Sequence, residues 1–155
     1  MTLRIASRVR TAIATQSAGS PSRVGCGLLI GFREGGAAWV ERSLPCVNAA
    51  PPESRAESFE IDPRVLVNVT RSLVSTPQSI VGFYYTNLSG SRTLGERDRE
   101  LLELWPNTAL LVHGPADSHG ETLQAWWRSP DSEEASELGI EIVKMRESSL
   151  LVCPE

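Results

Sequence analysis

The chain has few of the residues that build crosslinks or metal sites. Its 155 residues include three cysteines and two histidines. Three cysteines (Cys26, Cys46 and Cys153) do not supply a disulfide framework, and none stands in a CxxC pair of the kind that holds zinc. Cys26 lies inside an apolar run, where we expect a small core residue. The scarcity of cysteine argues against a disulfide-stapled secreted scaffold and favours a reducing cytoplasm.

Long apolar runs and a basic surface are also missing. No run approaches the ~20 apolar residues that a membrane-spanning helix needs, and the N-terminus lacks the features of a secretory signal. Residues 1–33 carry five arginines and no acid, so the rest has 10 basic and 19 acidic residues, a net charge of −9. Nucleic-acid binding needs clustered Lys and Arg. We therefore expect neither a nucleic acid nor a membrane as a partner.

Length and hydrophobic periodicity predict the organisation of the chain. We expect a single domain over residues 1–155, large enough to bury about 70% of its unfolded surface. Apolar residues at helical spacing predict a helix over residues 3–16. Residues 23–33 are apolar on both faces, which is typical of a covered central strand. A Gly-Gly turn then leads to a second strand at residues 36–47.

The second half predicts two further helices and several strands. Asp62 and Pro63 are a natural N-cap and first residue of a helix, and a buried strand follows at residues 79–86. Thr93 and Glu96 form a capping-box pattern for a third helix. More strands are expected near residues 108–113, 123–128, 139–145 and 149–153. This order predicts a mixed α/β (α+β) fold, with a central mixed β-sheet flanked by about three helices.

The most informative stretch is IVGFYYTNLSGSRTLGERDRELLELW, residues 80–105. A buried strand ends in Gly-Phe-Tyr-Tyr-Thr-Asn, and Asp98 follows Asn87 after ten intervening residues. This layout resembles the metal-binding signature of the JAMM/MPN (JAB-like) family of zinc isopeptidases, in which a strand ends in Gly-Phe-Tyr-His-Ser-His-Pro and an Asp stands on the next helix. The resemblance covers roughly residues 3–145 and implies a JAMM, cytidine-deaminase-like architecture.

The resemblance also implies a site, most of which this chain lacks. In the family two His and one Asp hold zinc, a Glu before the first strand acts as general base, and a Ser stabilises the oxyanion. Here Tyr85 and Asn87 stand at the two His positions. Thr86 stands at the Ser position and Val24 at the position of the base. Only Asp98 is retained.

These replacements predict a degenerate member without catalytic residues, metal or cofactor. Tyrosine is a poor zinc ligand because its pKa is ~10. Losing two imidazoles of a site worth ~10–16 kcal/mol removes roughly 6–8 kcal/mol. For Asp98 we expect an inward position near a helix start and a bond to a neighbouring hydroxyl such as Tyr85 or Thr86.

The function predicted from this resemblance is a pseudo-isopeptidase that serves as a protein-binding or scaffolding module. The resemblance implies a ubiquitin-like protein or another JAMM-like domain as partner, with a homodimer as a further option. The alternative is a zinc-dependent isopeptidase or metalloprotease-like hydrolase with an altered active site, and a third option is a small-ligand pocket in the old cleft. His113, Asp117 and His119 match no strong zinc template, and we expect a plain turn there.

Overall fold

A computed structural model of the protein describes residues 1–19, 24–55, 58–86, 94–114 and 121–144. Its helices and strands alternate along the chain. They are β1 (Thr2–Ala6), α1 (Ser7–Gly19), β2 (Cys26–Glu34), β3 (Ala37–Cys46), a short 3-10 helix (Pro52–Ser54), α2 (Pro63–Leu73), β4 (Ser79–Thr86), α3 (Glu96–Leu104), β5 (Ala109–Gly114), β6 (Thr122–Trp127) and β7 (Ser136–Val143).

The seven strands of the described residues form one sheet that closes into a barrel, in the order β1-β3-β2-β4-β5-β6-β7. Closure depends on β1, because this strand pairs in parallel with β3 on one side and with β7 on the other. The predicted JAMM-like architecture, a central mixed sheet flanked by about three helices, is therefore wrong. The described chain has three α-helices, but the sheet on which they pack has no free edge.

The helix predicted over residues 3–16 is wrong at its start, where the structure has a strand. Leu3 and Ile5 are fully buried and alternate with partly exposed residues, the period of two that a strand shows. Helix α1 begins only at Ser7. Because Ile5 lies four residues before Val9, it fits a helical stripe as well as a strand. Pairing with two strands distant in sequence decided between them.

Other predicted elements are confirmed. Strand β4 covers residues 79–86. Helix α2 begins at Pro63, and the Asp62 side chain accepts a hydrogen bond from the backbone N–H of Arg64. The third helix is present, but the capping box predicted for Thr93 and Glu96 is wrong, because Gly95 occupies the N-cap position and Glu96 is the first helical residue. The predicted cap Thr93 and the predicted strand at 149–153 lie outside the described residues.

Apolar side chains form two layers, one on each face of the sheet. The inner cluster takes residues from all seven strands and from α1, with 14 fully buried members and three partly buried ones. The outer layer lies between the sheet and α2 and α3, with five buried members and 13 partly buried ones. The outer layer consists of Leu28, Leu44, Cys46, Phe59, Ile61, Val65, Leu66, Val69, Ile80, Phe83, Tyr85, Leu94, Leu101, Leu102, Leu110, Val112, Trp126 and Ala135.

Two glycines lie where strand pairing shifts by one residue. The register of β2 against β3 shifts between Ile30 and Gly31, and a Cβ on Gly31 would collide with the carbonyl oxygen of Trp39. A Cβ on Gly82, beside the shift in the β2–β4 pairing, would collide with the carbonyl oxygen of Ala109. Such backbone approaches require glycine. Within the described residues, none of the helices combines the length and apolarity needed to cross a membrane.

Candidate functional site

The structure brings four of the five predicted site positions to one end of the barrel. Tyr85 and Thr86 end β4, Val24 precedes β2, and Asp98 lies in the first turn of α3. The ends of β2 and β4 are joined by a hydrogen bond of 2.9 Å from the Thr86 backbone N to the Gly25 carbonyl. The fifth position, Asn87, lies outside the described residues.

Tyr85 and Asp98 are bonded directly to each other. The phenol donates to Asp98 Oδ2 at 2.9 Å, and the same oxygen accepts from the Gly95 backbone N at 3.2 Å. The Phe59 ring stacks on Tyr85 with centroids 5.0 Å apart, which fixes the phenol ring over the carboxylate. The expected bond from Asp98 to a neighbouring hydroxyl is therefore confirmed, and Tyr85 supplies the hydroxyl.

The electrostatics keep Tyr85 protonated. Burial, the negative charge of Asp98 and the hydrogen bond to it all raise the pKa of Tyr85 above its ordinary value. Burial also raises the pKa of Asp98, while the hydrogen bonds from Tyr85 and Gly95 act in the opposite direction. The pair is a neutral donor and a partly desolvated carboxylate, which hold each other in place.

Thr86 and Val24 form part of the wall. Thr86 is fully buried, and its Oγ1 accepts a hydrogen bond of 2.8 Å from the Gly25 backbone N, which extends the β2–β4 ladder. Val24 is also buried, and its backbone N donates to the Arg55 carbonyl at 3.0 Å. Neither side chain has the exposure or the chemistry to act on a substrate in this arrangement.

Asn48 organises the loops beside Val24, a role that sequence reasoning missed. Its amide nitrogen donates to the carbonyls of Val24 at 3.2 Å and Ser58 at 2.9 Å. Its Oδ1 accepts from the backbone N of Ala50 at 3.0 Å and of Glu60 at 3.1 Å. An amide side chain offers two donor hydrogens and two acceptor lone pairs. All four are used, so this one residue ties together three segments of the chain.

The residues present do not fit the zinc ion that the family resemblance implies. A catalytic zinc takes three protein ligands from imidazole, thiolate or carboxylate. Asp98 is the one such group at the retained positions, and its Oδ2 already accepts two hydrogen bonds. In the described ranges, no three His, Cys, Asp or Glu residues cluster closely enough to hold a metal.

His113 belongs to a different site, on the inner face of the barrel. His113 lies in the strand predicted near residues 108–113, which is confirmed as β5, and it is 2% exposed. Its Nε2 lies 2.8 Å from Glu121 Oε2, while Glu121 Oε1 accepts from Arg10 Nε at 2.6 Å. Asp117 and His119 lie outside the described residues.

The bonds to His113 and Arg10 decide the charge of Glu121. Burial would raise the pKa of this carboxyl, but the hydrogen bonds from His113 and Arg10 outweigh it and lower the pKa. A cleft of about 380 Å³ lies beside Glu121 along α1. Its two hydroxyls, on Thr11 and Thr15, bond to carbonyls of their own helix. The cleft therefore lacks polar groups that converge on a ligand.

Comparison with known proteins identifies the fold. No family model and no curated protein matches the chain. A solution structure of a protein from Desulfitobacterium hafniense matches with a TM-score of 0.77 and 19% sequence identity, over 94% of this chain and 96% of that one. A solution structure of a protein from Salinibacter ruber matches with a TM-score of 0.62 and 20% identity, over 93% and 92% of the two chains. These likenesses show the fold alone.

Proposed function

We propose that the protein is a non-catalytic protein-binding or scaffolding module, a degenerate relative of JAMM/MPN domains in sequence. The observation that carries the binding role is a set of large apolar side chains left exposed on and beside α2 and α3, namely Val67, Val74, Leu104 and Trp105. An exposed apolar patch is typical of an interaction site.

These side chains lie at both helices. On α2, Val67 is 48% exposed, and Val74 just beyond its end is 75% exposed. Leu104, at the end of α3, is 76% exposed, and Trp105 packs edge-on against Phe83 of the outer layer with centroids 5.6 Å apart. We call this surface the α2–α3 face. Aromatic and aliphatic side chains of this kind form the core of protein interfaces.

The absence of catalysis is supported by the bond between Tyr85 and Asp98. The retained carboxylate is occupied by a phenol that burial and charge keep protonated. The position of the general base holds the apolar side chain of Val24. A hydrolase would need both an activated water and a base to take its proton.

The partner follows from the resemblance: a ubiquitin-like protein or another JAMM-like domain, in the cytoplasm. A second copy of this chain on the same face is the simplest arrangement to measure. Two measurements distinguish these partners. NMR titration with ubiquitin as a probe tests the ubiquitin-like partner, and sedimentation equilibrium of the chain alone tests the second copy. In either case the perturbed or buried residues should be those of the α2–α3 face.

Matched variants locate the interface. We expect Leu104→Glu and Val74→Glu each to weaken binding or self-association at least roughly tenfold. The introduced carboxylate would lose its hydration when the apolar interface forms around it. Ile142→Glu is the control, because Ile142 is 41% exposed but lies on β7, which is not part of the α2–α3 face. A monomeric chain whose α2–α3 face is unperturbed by ubiquitin or a JAMM-like domain would contradict the proposal.

The alternative, a zinc-dependent hydrolase with an altered site, requires Asp98 to exchange its bond with Tyr85 for a metal. Metal analysis of the chain after equilibration with zinc tests this directly. We expect far less than one equivalent of bound zinc. A full equivalent that is lost in Asp98→Ala but kept in Glu121→Ala would favour the hydrolase over the binding module.

A further inference from the structure

Strands β2 and β3 place two free cysteines opposite each other. Cys26 begins β2, Cys46 ends β3, and the two are direct partners in the antiparallel register. Directly opposed residues lie on the same face of a sheet, with Cα atoms about 4.5–5.5 Å apart. This separation falls inside the span of about 4.4–6.8 Å that a disulfide bridges.

A β-bulge creates this pairing. Near the Gly35-Gly36 turn, Glu34 pairs with Ala37, and the same register continued would place Cys26 opposite Pro45. The shift between Ile30 and Gly31 moves the partner by one residue. Since a slip of one residue turns a side chain to the other face, the bulge is what brings the two thiols together.

The two sulfur atoms contact backbone carbonyls near the paired ends of β2 and β3. Cys26 Sγ is 3.7 Å from the Cys46 carbonyl oxygen across the ladder. Burial raises the pKa of the Cys46 thiol, and the nearby backbone of Leu28 opposes part of that rise. Burial, with the nearby charge of Cys46, raises the pKa of Cys26 to about 12. Cys26 Sγ therefore reaches towards β3, whereas Cys46 Sγ lies 3.5 Å from the Leu44 carbonyl oxygen of its own strand.

The two thiols differ in access. Cys26 is fully buried, whereas Cys46 is partly exposed at the end of β3. A small oxidant therefore meets Cys46 first. Once Cys46 is oxidised, the thiol opposite it is held ready to react, because the register fixes the two residues side by side.

We propose that Cys26 and Cys46 are a modification site, which a hydroperoxide converts to a reversible intramolecular disulfide. With hydrogen peroxide, the Cys46 thiol loses its proton and its sulfur attacks one peroxide oxygen. The O–O bond breaks, a sulfenic acid forms, and the departing hydroxide takes up the thiol proton as one water. The Cys26 sulfur then attacks the Cys46 sulfur, and the S–O bond breaks. The departing hydroxide takes the Cys26 proton as a second water. Two thiols lose two electrons and two protons, and the peroxide gains them.

The disulfide would lock the end of the barrel that carries the candidate site. Cys26 is also the direct partner of Tyr85 on β4, so the crosslink lies one strand from the Tyr85–Asp98 bond. Because burial keeps both thiols protonated, we expect oxidation in the folded protein to be slower than that of an exposed low-pKa thiol. Excess dithiothreitol reverses it by thiol exchange.

The test uses the full chain carrying Cys153→Ser, which leaves two thiols. The folded protein is exposed to hydrogen peroxide and then denatured in N-ethylmaleimide, which alkylates free thiols. Its intact mass is measured by mass spectrometry. We expect no alkylated cysteine and a mass lower by two hydrogen atoms than the reduced protein, with both labels restored by dithiothreitol. A further Cys26→Ser change should leave a Cys46 sulfenic acid that dimedone traps.

Specific outcomes overturn the proposal. As a reference, the same protein is denatured before peroxide treatment, and the time that its disulfide takes to form completely is measured. Two alkylated cysteines in the folded protein after a much longer exposure, which allows for its slower oxidation, would refute the pairing. The proposal would also be refuted if the loss of N-ethylmaleimide labelling came with added oxygen atoms in the mass, or with dimers linked between two chains.

Discussion

The hydroxyl of Tyr85 is the most direct probe of the candidate site, and Tyr85→Phe removes it alone. The variant keeps the ring that stacks on Phe59 but leaves Asp98 Oδ2 with one donor, the Gly95 N–H. A hydrogen bond to a charged group contributes about 1.5–3 kcal/mol, and one between neutral groups about 0.5–1.5 kcal/mol. We therefore expect a loss of about 2 kcal/mol in the free energy of unfolding at neutral pH.

The loss should depend on pH, with a definite sign. Burial raises the pKa of Asp98 in the folded state above its unfolded value. Such a carboxyl disfavours folding increasingly as pH rises through the folded pKa, and below the unfolded pKa it has no such effect. The Tyr85 hydroxyl offsets part of that cost only while Asp98 is charged. The effect of Tyr85→Phe should therefore shrink to about 1 kcal/mol or less in acid, where Asp98 is protonated.

Urea unfolding followed by the fluorescence of the four tryptophans measures both values. With a typical slope of about 2 kcal/mol per molar urea, the neutral-pH midpoint should fall by about 1 M. Asp98→Asn is the control background, because an amide oxygen accepts the same bonds without the charge. There the loss should be about 1 kcal/mol at every pH. An equal loss at both pH values and in both backgrounds would refute the assigned charge pair.

Three further predictions, one of them with a matched control, test the fold and its second polar site. Asn48→Ala should lower the free energy of unfolding by about 2–4 kcal/mol in urea titration, since four hydrogen bonds are lost together; a loss under about 1 kcal/mol would show that the loops are held otherwise. Gly82→Ala should lower the free energy of unfolding by about 3 kcal/mol or prevent folding, because the new Cβ would collide with the Ala109 carbonyl oxygen. Gly139 has open space around it, so Gly139→Ala should change stability by less than about 1 kcal/mol, and thermal melts of both variants measure the difference. The lowered pKa of Glu121 contributes stability above its unfolded pKa that is lost as pH falls through the folded pKa. Glu121→Gln should therefore cost about 1–3 kcal/mol at neutral pH and less in acid, and pH-independent unfolding curves for the pair of proteins would contradict this.

The candidate site was predictable in part. Asp98 shares a helical face with apolar residues near a helix start, which predicted an inward carboxylate bonded to a neighbouring hydroxyl, and β4 and α3 bring these two groups together. The sequence did not distinguish Tyr85 from Thr86 as the donor. Thr86 is turned into the β2–β4 ladder, where it accepts from Gly25. Only the relative placement of two strands and a helix decides which hydroxyl reaches the carboxylate.

Residues that act across long sequence separations gave no usable signal. Asn48 bonds to Val24, Ser58 and Glu60. The presence of an asparagine in a polar loop does not indicate which residues it bonds. His113 and Glu121 flank a loop whose composition suggested a turn. Their bond depends on β5 and β6 pairing, which puts the two side chains at the same end of the barrel.

By itself, the sequence determined the elements whose causes are local. Asp62 caps α2 because its carboxylate meets an N–H two residues away, and residues 79–86 are a strand because a short apolar run lies between helix signals. Tertiary structure alone decided the closure of the barrel and the pairing of Cys26 with Cys46. Residues 2–6 fit a helical stripe and a strand equally well until two distant strands offer them hydrogen-bond partners, and a single bulge chooses the face of every residue beyond it.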